Sequence, residues 1–454
     1  MHSSHPLIQD HLIDEAALDA LVASLHKHAQ AHRDHKPTHP SDPIPAQELK
    51  HLLDPLFHNK ASPFSKLVDG FFGRLEKIPR PFLNLRFKVV AAYHFFGITG
   101  IVTACITPLI LGLILNLSLL TLSILLATSA LLTWAYIKLT ILITKKDAVV
   151  FFNYFLTLLT GSFLVLRIMN QPVLVYMDIM IVGAGLLFAF GRIGCFMAGC
   201  CYGKPSLKGI RYDKHHKKNG FPRLLLRVRL LPVQLIESAW LFGITTVSIV
   251  IVFSTQAPGM ALSTFLILLA LGRLMLEFFR GDLLRPYKRG VSQAQWTSLV
   301  MLGLTLSLQI AGILPFQSWQ SFILVSFLIL LITFVLRSKN VSLRSLFSAR
   351  HIHEIAEVFE IFKRGSLIPA STQKAVHLRK TSLNIQLSEN YIPLKDRTTL
   401  YHITLSSLDT PFHYRQAEGL SQYMVSLHKQ AGMHVLLPDH DNIYHLLHFT
   451  IDTR

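Results

Sequence analysis

The chain has 454 residues, 51% of them apolar and only 15% charged, and Lys and Arg outnumber Asp and Glu by 44 to 26. That composition excludes an ordinary soluble enzyme and a disordered chain. A surplus of basic residues in so apolar a chain points to an anionic membrane surface rather than to nucleic acid. Four cysteines, Cys105, Cys195, Cys200 and Cys201, are too few for a disulfide scaffold.

Residues 1–87 are polar and hold many of the histidines. Met1 to Pro40 lacks the apolar stretch of a secretory signal, so this segment is expected to stay in the cytoplasm. An amphipathic helix is expected from Ile13 to His28, followed by a His and Pro linker from His32 to Pro45. His26, His28, His32, His35 and His39 are irregularly spaced there and read as a solvated tract rather than a metal site.

Eight apolar stretches follow. A span needs roughly 20 apolar residues, because a helix rises about 1.5 Å per residue. The stretches run from Val89 to Leu113, Leu119 to Ile143, Ala148 to Leu166, Val173 to Met197, Pro232 to Phe253, Ala261 to Phe279, Gln295 to Ile313 and Phe316 to Leu336. Only an Asn116 and Ser118 turn separates the first two. Basic residues flank alternate ends: Arg74 to Lys88 before the first span, Lys145 and Lys146 after the second, nine between Lys204 and Arg229, Arg280 to Arg289 after the sixth, and Arg337 to Arg350 after the eighth. The intervening loops hold only Arg167. Basic loops are retained in the cytoplasm, so both termini are expected there. From about Ala370, alternating stretches such as Leu383 to Leu387 and Tyr401 to Leu405 precede a helical run from Arg415 to Gln430. The expected fold is an all-α polytopic membrane protein of about seven or eight transmembrane helices. Its membrane domain (88–337) lies between a soluble helical N-terminal extension (1–87) and a small soluble α+β C-terminal domain (338–454).

Charge inside a span costs at least about 2.5 kcal/mol per residue on insertion scales, which makes each such residue a functional candidate. Arg192 lies near the end of the fourth span. Arg273, Glu277 and Arg280 are spaced i, i+4 and i+7 through the end of the sixth, so they share a face. Glu277 would neutralise one arginine and leave a net positive site suited to a phosphate. Structural ion pairing and snorkelling are the bland alternatives, and Lys138 reads as a snorkelling residue. Asp178, two heptads before Arg192, lies about 20 Å from it along the axis and cannot pair with it. The fourth span runs into GRIGCFMAGCCYGKP, Gly191 to Pro205, where glycines and a proline break the helix at membrane depth around an arginine and three thiols.

This segment resembles the signature of the prolipoprotein diacylglyceryl transferase family through Gly191, Arg192, Gly194, Phe196 and Gly203. LPVQLIE (Leu231 to Glu237) is similar to a second family motif through Pro232, Gln234, Leu235 and Glu237. GRLMLEFFRGD (Gly272 to Asp282) is similar to a third through its Arg, Glu, Phe and Arg. Ser292, Gln295 and Ser298 match the segment after it, and Asp178 falls where the family has an aspartate. Together the matches cover about Asp178 to Ser298.

The resemblance implies transfer of a diacylglyceryl group from phosphatidylglycerol, or a related anionic phospholipid, to the lipobox cysteine of a prolipoprotein signal peptide at the bacterial inner membrane. It implies no metal, no cofactor and no nucleic acid. Arg192 and Arg273 would bind the phosphate and stabilise its growing charge, with Glu237 and Glu277 orienting them or hydrogen-bonding the glycerol of the substrate. Gln234, Arg280, Asp178, Gly194, Cys195, Cys200 and Gln295 would line the substrate site. Against the family pattern, Cys195 and Ala198 replace asparagines, Cys200 a glutamate, Leu231 a histidine and Ile236 a tyrosine. The family's His-Gly-Gly loop has no counterpart near Val150 to Gly161, where Phe152, Asn153 and Tyr154 stand. His94 is the candidate base in its place. The thiols are open to three readings: nucleophile, metal ligand or inert packing, although three cysteines without a neighbouring histidine in sequence do not make a zinc motif. The family's site faces away from the cytoplasm, whereas the loop charges set Arg192 and Arg280 towards it. A lipid-binding relative without transfer chemistry is the alternative function, and a transporter is disfavoured by the lack of an inverted repeat.

Overall fold

The structure is a computed structural model describing residues 63–85, 88–144, 151–226, 228–254, 257–282, 287–288, 291–337, 346, 348–365, 378–393, 398–407, 414–427, 432–438 and 444–451. The expected helix from Ile13 to His28 and the histidine tract lie outside the described residues, as do Lys145, Lys146, Arg285, Arg289, Lys339 and Arg344.

Helices occupy each of the apolar stretches: α2 (Ala92–Ile114), α3 (Leu119–Thr144), α4 (Phe151–Ile168), α5 (Val173–Ala198), α6 (Val233–Ser254), α7 (Met260–Leu276), α8 (Gln293–Ile310) and α9 (Ser318–Arg337). Among the described residues, five are long and apolar enough to cross a membrane: α2, α3, α5, α6 and α7, the last counted on to Phe279. Asn116, with φ of 55°, turns the chain between α2 and α3. Large apolar side chains face outwards, with Leu142 76%, Ile168 80% and Ile310 89% exposed. A soluble protein would bury such residues, whereas a bilayer solvates them.

Helix α5 is the centre of the bundle and packs on α2, α6 and α7. Small residues allow the approach: a Cβ on Gly183 would stand 2.6 Å from the Ala104 carbonyl oxygen and 2.8 Å from the Pro108 ring. Lipid gives no hydrophobic drive between helices, so close backbone packing of this kind supplies the attraction. At one end, the Asp178 carboxylate accepts from the backbone N–H groups of Gly259 (2.6 Å) and Leu262 (2.7 Å). It thereby caps the start of α7 and ties it to α5.

The bundle is not purely helical. Hairpin β1 (Phe82–Leu85) and β2 (Lys88–Ala91) leads into α2, and the ribbon of β3 (Pro205–Arg211) and β4 (Arg229–Leu230) joins α5 to α6. A short pair, β5 (Tyr287–Lys288) and β6 (Val291–Ser292), precedes α8. Beyond α9, helix α10 (Ala349–Gly365) is followed by β7 (Leu378–Lys380), β8 (Ile385–Pro393), β9 (Thr398–Ser407), helix α11 (Tyr414–Leu427), β10 (Gly432–Pro438) and β11 (Tyr444–Ile451). The five strands form one antiparallel sheet in the order β10-β11-β9-β8-β7. Leu387, Ile403, Leu405 and Leu446 from the sheet share a core with Ile355 and Phe359 of α10 and Leu420 of α11.

That core extends into the bundle. Phe196 and Met197 of α5, Tyr202, and Ile210, Tyr212, Phe221 and Leu230 of the basic α5–α6 connection belong to the same apolar cluster. Helix α1 (Pro63–Leu75) packs beside β3, and Glu76 after it lies 3.6 Å from Arg211. The sheet, its helices and α1 therefore all sit at the Arg192 end of α5. Asp178 marks the opposite end.

Candidate functional site

Three chain segments are stitched together by backbone hydrogen bonds at that end. Lys204 N–H donates to the Phe279 carbonyl (2.9 Å), Gly281 N–H to Tyr202 (2.9 Å) and Leu231 N–H to Lys204 (3.0 Å). A Cβ on Gly281 would stand 2.5 Å from the Gly203 oxygen, and one on Gly203 would strike the Leu231 carbonyl. Only glycine lets these strands of backbone approach so closely. The stitching brings the residue runs around Arg192, Glu237 and Arg273 to one place, although 81 residues separate the first from the last.

The Glu237 carboxylate lies between two guanidinium groups. Arg192 Nε is 3.0 Å from its Oε2, and Arg273 Nη1 donates to its Oε1 at 2.7 Å. Arg273 Nη2 is 3.5 Å from Glu277 Oε2, which is also 4.0 Å from Arg280 Nη1. Arg280 completes the chain of charge with a two-pronged pair to Asp282, Nε to Oδ1 at 2.9 Å and Nη2 to Oδ2 at 2.7 Å. Arg192, Glu237, Arg273, Glu277 and Arg280 are each 6% exposed or less. Buried charges persist only when paired in this way.

The sequence reading of a net positive site is corrected by this geometry. With Glu237 inserted between Arg192 and Arg273, and Asp282 clamping Arg280, three cations face three carboxylates and the resting cluster is neutral. The i, i+4, i+7 stripe does not reveal this, because Glu237 arrives from another helix.

The other candidates divide by place. Gln234 is buried and its Nε2 donates to the Cys200 carbonyl (2.8 Å) and to the Tyr212 hydroxyl (3.3 Å), so it fixes the loop after α5. Tyr212 in turn donates to the Phe196 carbonyl (3.2 Å). Gly194 backs onto Tyr93, whose carbonyl oxygen would stand 3.3 Å from a Cβ there. His94, next to Tyr93 at the start of α2, is exposed at the rim of the bundle. The thiol sulfurs of Cys195, Cys200 and Cys201 all lie within 4.8 Å of one another. Two candidates are not brought to the cluster by their own bonds: Asp178 caps α7 at the far end, and Gln295 forms a capping box with Ser292 at the start of α8. Asp282, Tyr93 and Tyr212 are the participants sequence reading did not assign. Asp282 follows Arg280 by two residues and was within sight, whereas nothing in the basic loop distinguishes Tyr212.

Residues 94–311 match the family model described as prolipoprotein diacylglyceryl transferase. Over 115 residues the chain is 32% identical to the phosphatidylglycerol–prolipoprotein diacylglyceryl transferase of Clostridium tetani, covering 25% of this chain and 44% of that protein. It is 32% identical over 108 residues to enzyme 2 of that name from Clostridium perfringens, covering 23% of this chain and 40% of the relative. A third, from Dehalococcoides mccartyi, is 26% identical over 132 residues, covering 29% and 49%. The matched segments thus span less than half the length of these relatives. The matched stretch holds every member of the arginine–carboxylate cluster, so it is over the site itself that this chain is similar to the prolipoprotein diacylglyceryl transferase family.

Proposed function

We propose that the chain is a phosphatidylglycerol–prolipoprotein diacylglyceryl transferase-like enzyme of the bacterial inner membrane. The observation that carries this reading is the convergence of Arg192 and Arg273 on one buried carboxylate within the family-matched region. In the reaction, the sulfur of the acceptor cysteine attacks the glycerol carbon that bears the phosphoester. The carbon–sulfur bond forms as the carbon–oxygen bond breaks, glycerol phosphate leaves with the electron pair, and the thiol proton passes to a base. Arg192 and Arg273 hold the phosphate of the donor lipid or a related anionic phospholipid, and their charge stabilises the leaving group. Arg273 Nε, buried and without a hydrogen-bond partner in the protein, is a donor available to a phosphate oxygen. Because the resting cluster is neutral, a phosphate that engages both guanidinium groups fully displaces Glu237 from one of them, and Glu237 then acts as a holder of the arginines rather than a ligand of the lipid. Glu277 and Arg280 support this arrangement from the other side, and Cys195, Cys200, Gly194 and Gln234 shape the adjoining wall.

His94 takes the thiol proton. An acceptor signal peptide approaches through the bilayer, and the exposed imidazole at the rim is where it would arrive. The thiols of the chain itself are not relays: a diacylglyceryl thioether on Cys195, Cys200 or Cys201 would be too poor a leaving group to pass its lipid on.

All eight helices α2 to α9 are read as spans of the membrane domain 88–337, with 1–87 and 338–454 as soluble segments in the cytoplasm and no role for nucleic acid. The replacement of family hydrogen-bonding residues by Cys195, Ala198 and Cys200 favours one second reading, a lipid-binding relative that keeps the phosphate site without transfer. One assay separates the two. Purified protein is given labelled phosphatidylglycerol and a lipobox peptide, and the thioether product is followed by mass spectrometry. Product is expected, and Arg192→Ala should lower its rate by about 10²–10³-fold, as loss of a charge-stabilising donor does elsewhere. Lipid binding with no thioether product would leave only the second reading.

A further inference from the structure

The three thiols at the end of α5 are held as a set. Gly199 and Cys200 N–H groups donate to the Cys195 carbonyl at 3.0 and 3.1 Å, and the Cys200 thiol also points at that oxygen (3.8 Å). The Cys200 carbonyl is fixed by Gln234, and the next residue but one, Tyr202, by Gly281. Between these anchors Cys201 adopts a left-handed conformation, with φ of 55°. A non-glycine residue is disfavoured there by about 1–2 kcal/mol. Side chains of consecutive extended residues point to opposite sides. The turn at Cys201 instead gathers both neighbouring thiols with that of Cys195, all three sulfurs within 4.8 Å.

We propose that Cys195, Cys200 and Cys201 form a trithiolate site for a single thiophilic d10 cation. Three metal–sulfur bonds of about 2.3 Å place the sulfurs roughly 3.8–4.0 Å apart, so shifts of under about 1 Å complete the site. Soft thiolates select cations of the Zn(II), Cd(II) or Cu(I) class over Mg(II) or Ca(II). On binding a divalent ion, three metal–sulfur bonds form and every proton still on a sulfur leaves to solvent. Nothing is oxidised or reduced. The product carries one net negative charge, and Arg192 and Arg280 lie within electrostatic reach of the thiols to compensate it. No histidine adjoins the cysteines in sequence, so no zinc motif is visible there. The site is assembled by the turn and its backbone anchors.

The cation site goes beyond the transferase reading and is tested without reference to activity. Full-length protein in detergent, fully reduced, is titrated with Cd(II) while the ultraviolet sulfur-to-cadmium charge-transfer band is recorded. The band should saturate at one ion per chain, with release of protons on binding. Cys195→Ser, Cys200→Ser and Cys201→Ser should each weaken binding tenfold or more, and Cys105→Ser should not change it. Cadmium X-ray absorption on the unmutated protein reads the sulfur count directly, so the result does not depend on whether any variant folds. Three sulfur neighbours are expected. Fewer than three, or a band undiminished in Cys200→Ser, overturns the proposal whether or not the protein transfers lipid.

Discussion

Glu237 decides what its neighbours can do. Its two oxygens are divided between Arg192 and Arg273, and all three side chains are buried. Glu237→Gln would leave two guanidinium groups facing each other across a neutral amide. Removing one partner of a buried pair costs about 3–5 kcal/mol, because the remaining charge keeps its desolvation penalty. Thermal unfolding in detergent should show a loss of that order, well beyond what an exposed Glu→Gln substitution produces. An unchanged transition would mean that the arginines find other partners easily and that the carboxylate does not organise them. Sequence reading located Arg192 and Arg273 because charge in an apolar span stands out, and Glu237 only through the likeness of LPVQLIE to a family motif. It missed their neutrality, since pairing between helices has no signature along the chain.

At the scale of elements, the helices were legible and the sheets only partly so. The apolar stretches from Val173 and Pro232 begin and end almost where α5 and α6 do, since bilayer thickness fixes their length. The alternating runs near Leu387 and Leu405 lie in β8 and β9, paired directly through Leu387 and Leu405. The hairpins at the bundle's end could not be read, because two-residue strands carry no periodicity and are defined by the segments they stitch. Gln295 and Asp178 show the converse: polar residues in a family-like position whose side chains are used to cap helices. Helix α10 offers a test of its own. His351 is fixed between the Leu346 carbonyl (Nδ1, 2.7 Å) and the Thr381 hydroxyl (Nε2, 3.0 Å), and burial pushes its pKa down. Burial works against the nearby Glu354 carboxylate, yet hydrogen bonds from Ser382 and the charges of His351 and Arg350 hold its pKa down as well. Both groups then favour folding at neutral pH. The unfolded chain binds more protons as pH falls, so the His351 contribution is lost below about 6.5 and that of Glu354 below about 4.3. Hydrogen-exchange protection of α10, corrected for intrinsic rates, should drop as pH falls below about 6.5, and His351→Gln should flatten that slope. A protection profile flat in the native chain would contradict the assignment.

The molecule as a whole is polar at one end. The sheet, α10, α11, α1 and the basic ribbon all gather where Arg192, Arg273 and the thiols lie, and they share an apolar core with the end of α5. The same end carries the exposed lysines Lys214, Lys217 and Lys218, suited to anionic headgroups. The charge rule favours the cytoplasm for that end, in line with the proposed topology. A reporter fused after Arg337 should give a cytoplasmic signal, and an extracytoplasmic one would turn the site to the opposite face without altering its construction. The proposed function stands on guanidinium groups from α5 and α7 gripping one lipid phosphate. A cryo-EM map of the chain in nanodiscs containing phosphatidylglycerol tests it most directly. One headgroup phosphate is expected within about 2.7–2.9 Å of nitrogens from both Arg192 and Arg273, with Glu237 displaced from at least one of them. A phosphate bound elsewhere, with Glu237 still bridging the two arginines, would contradict it.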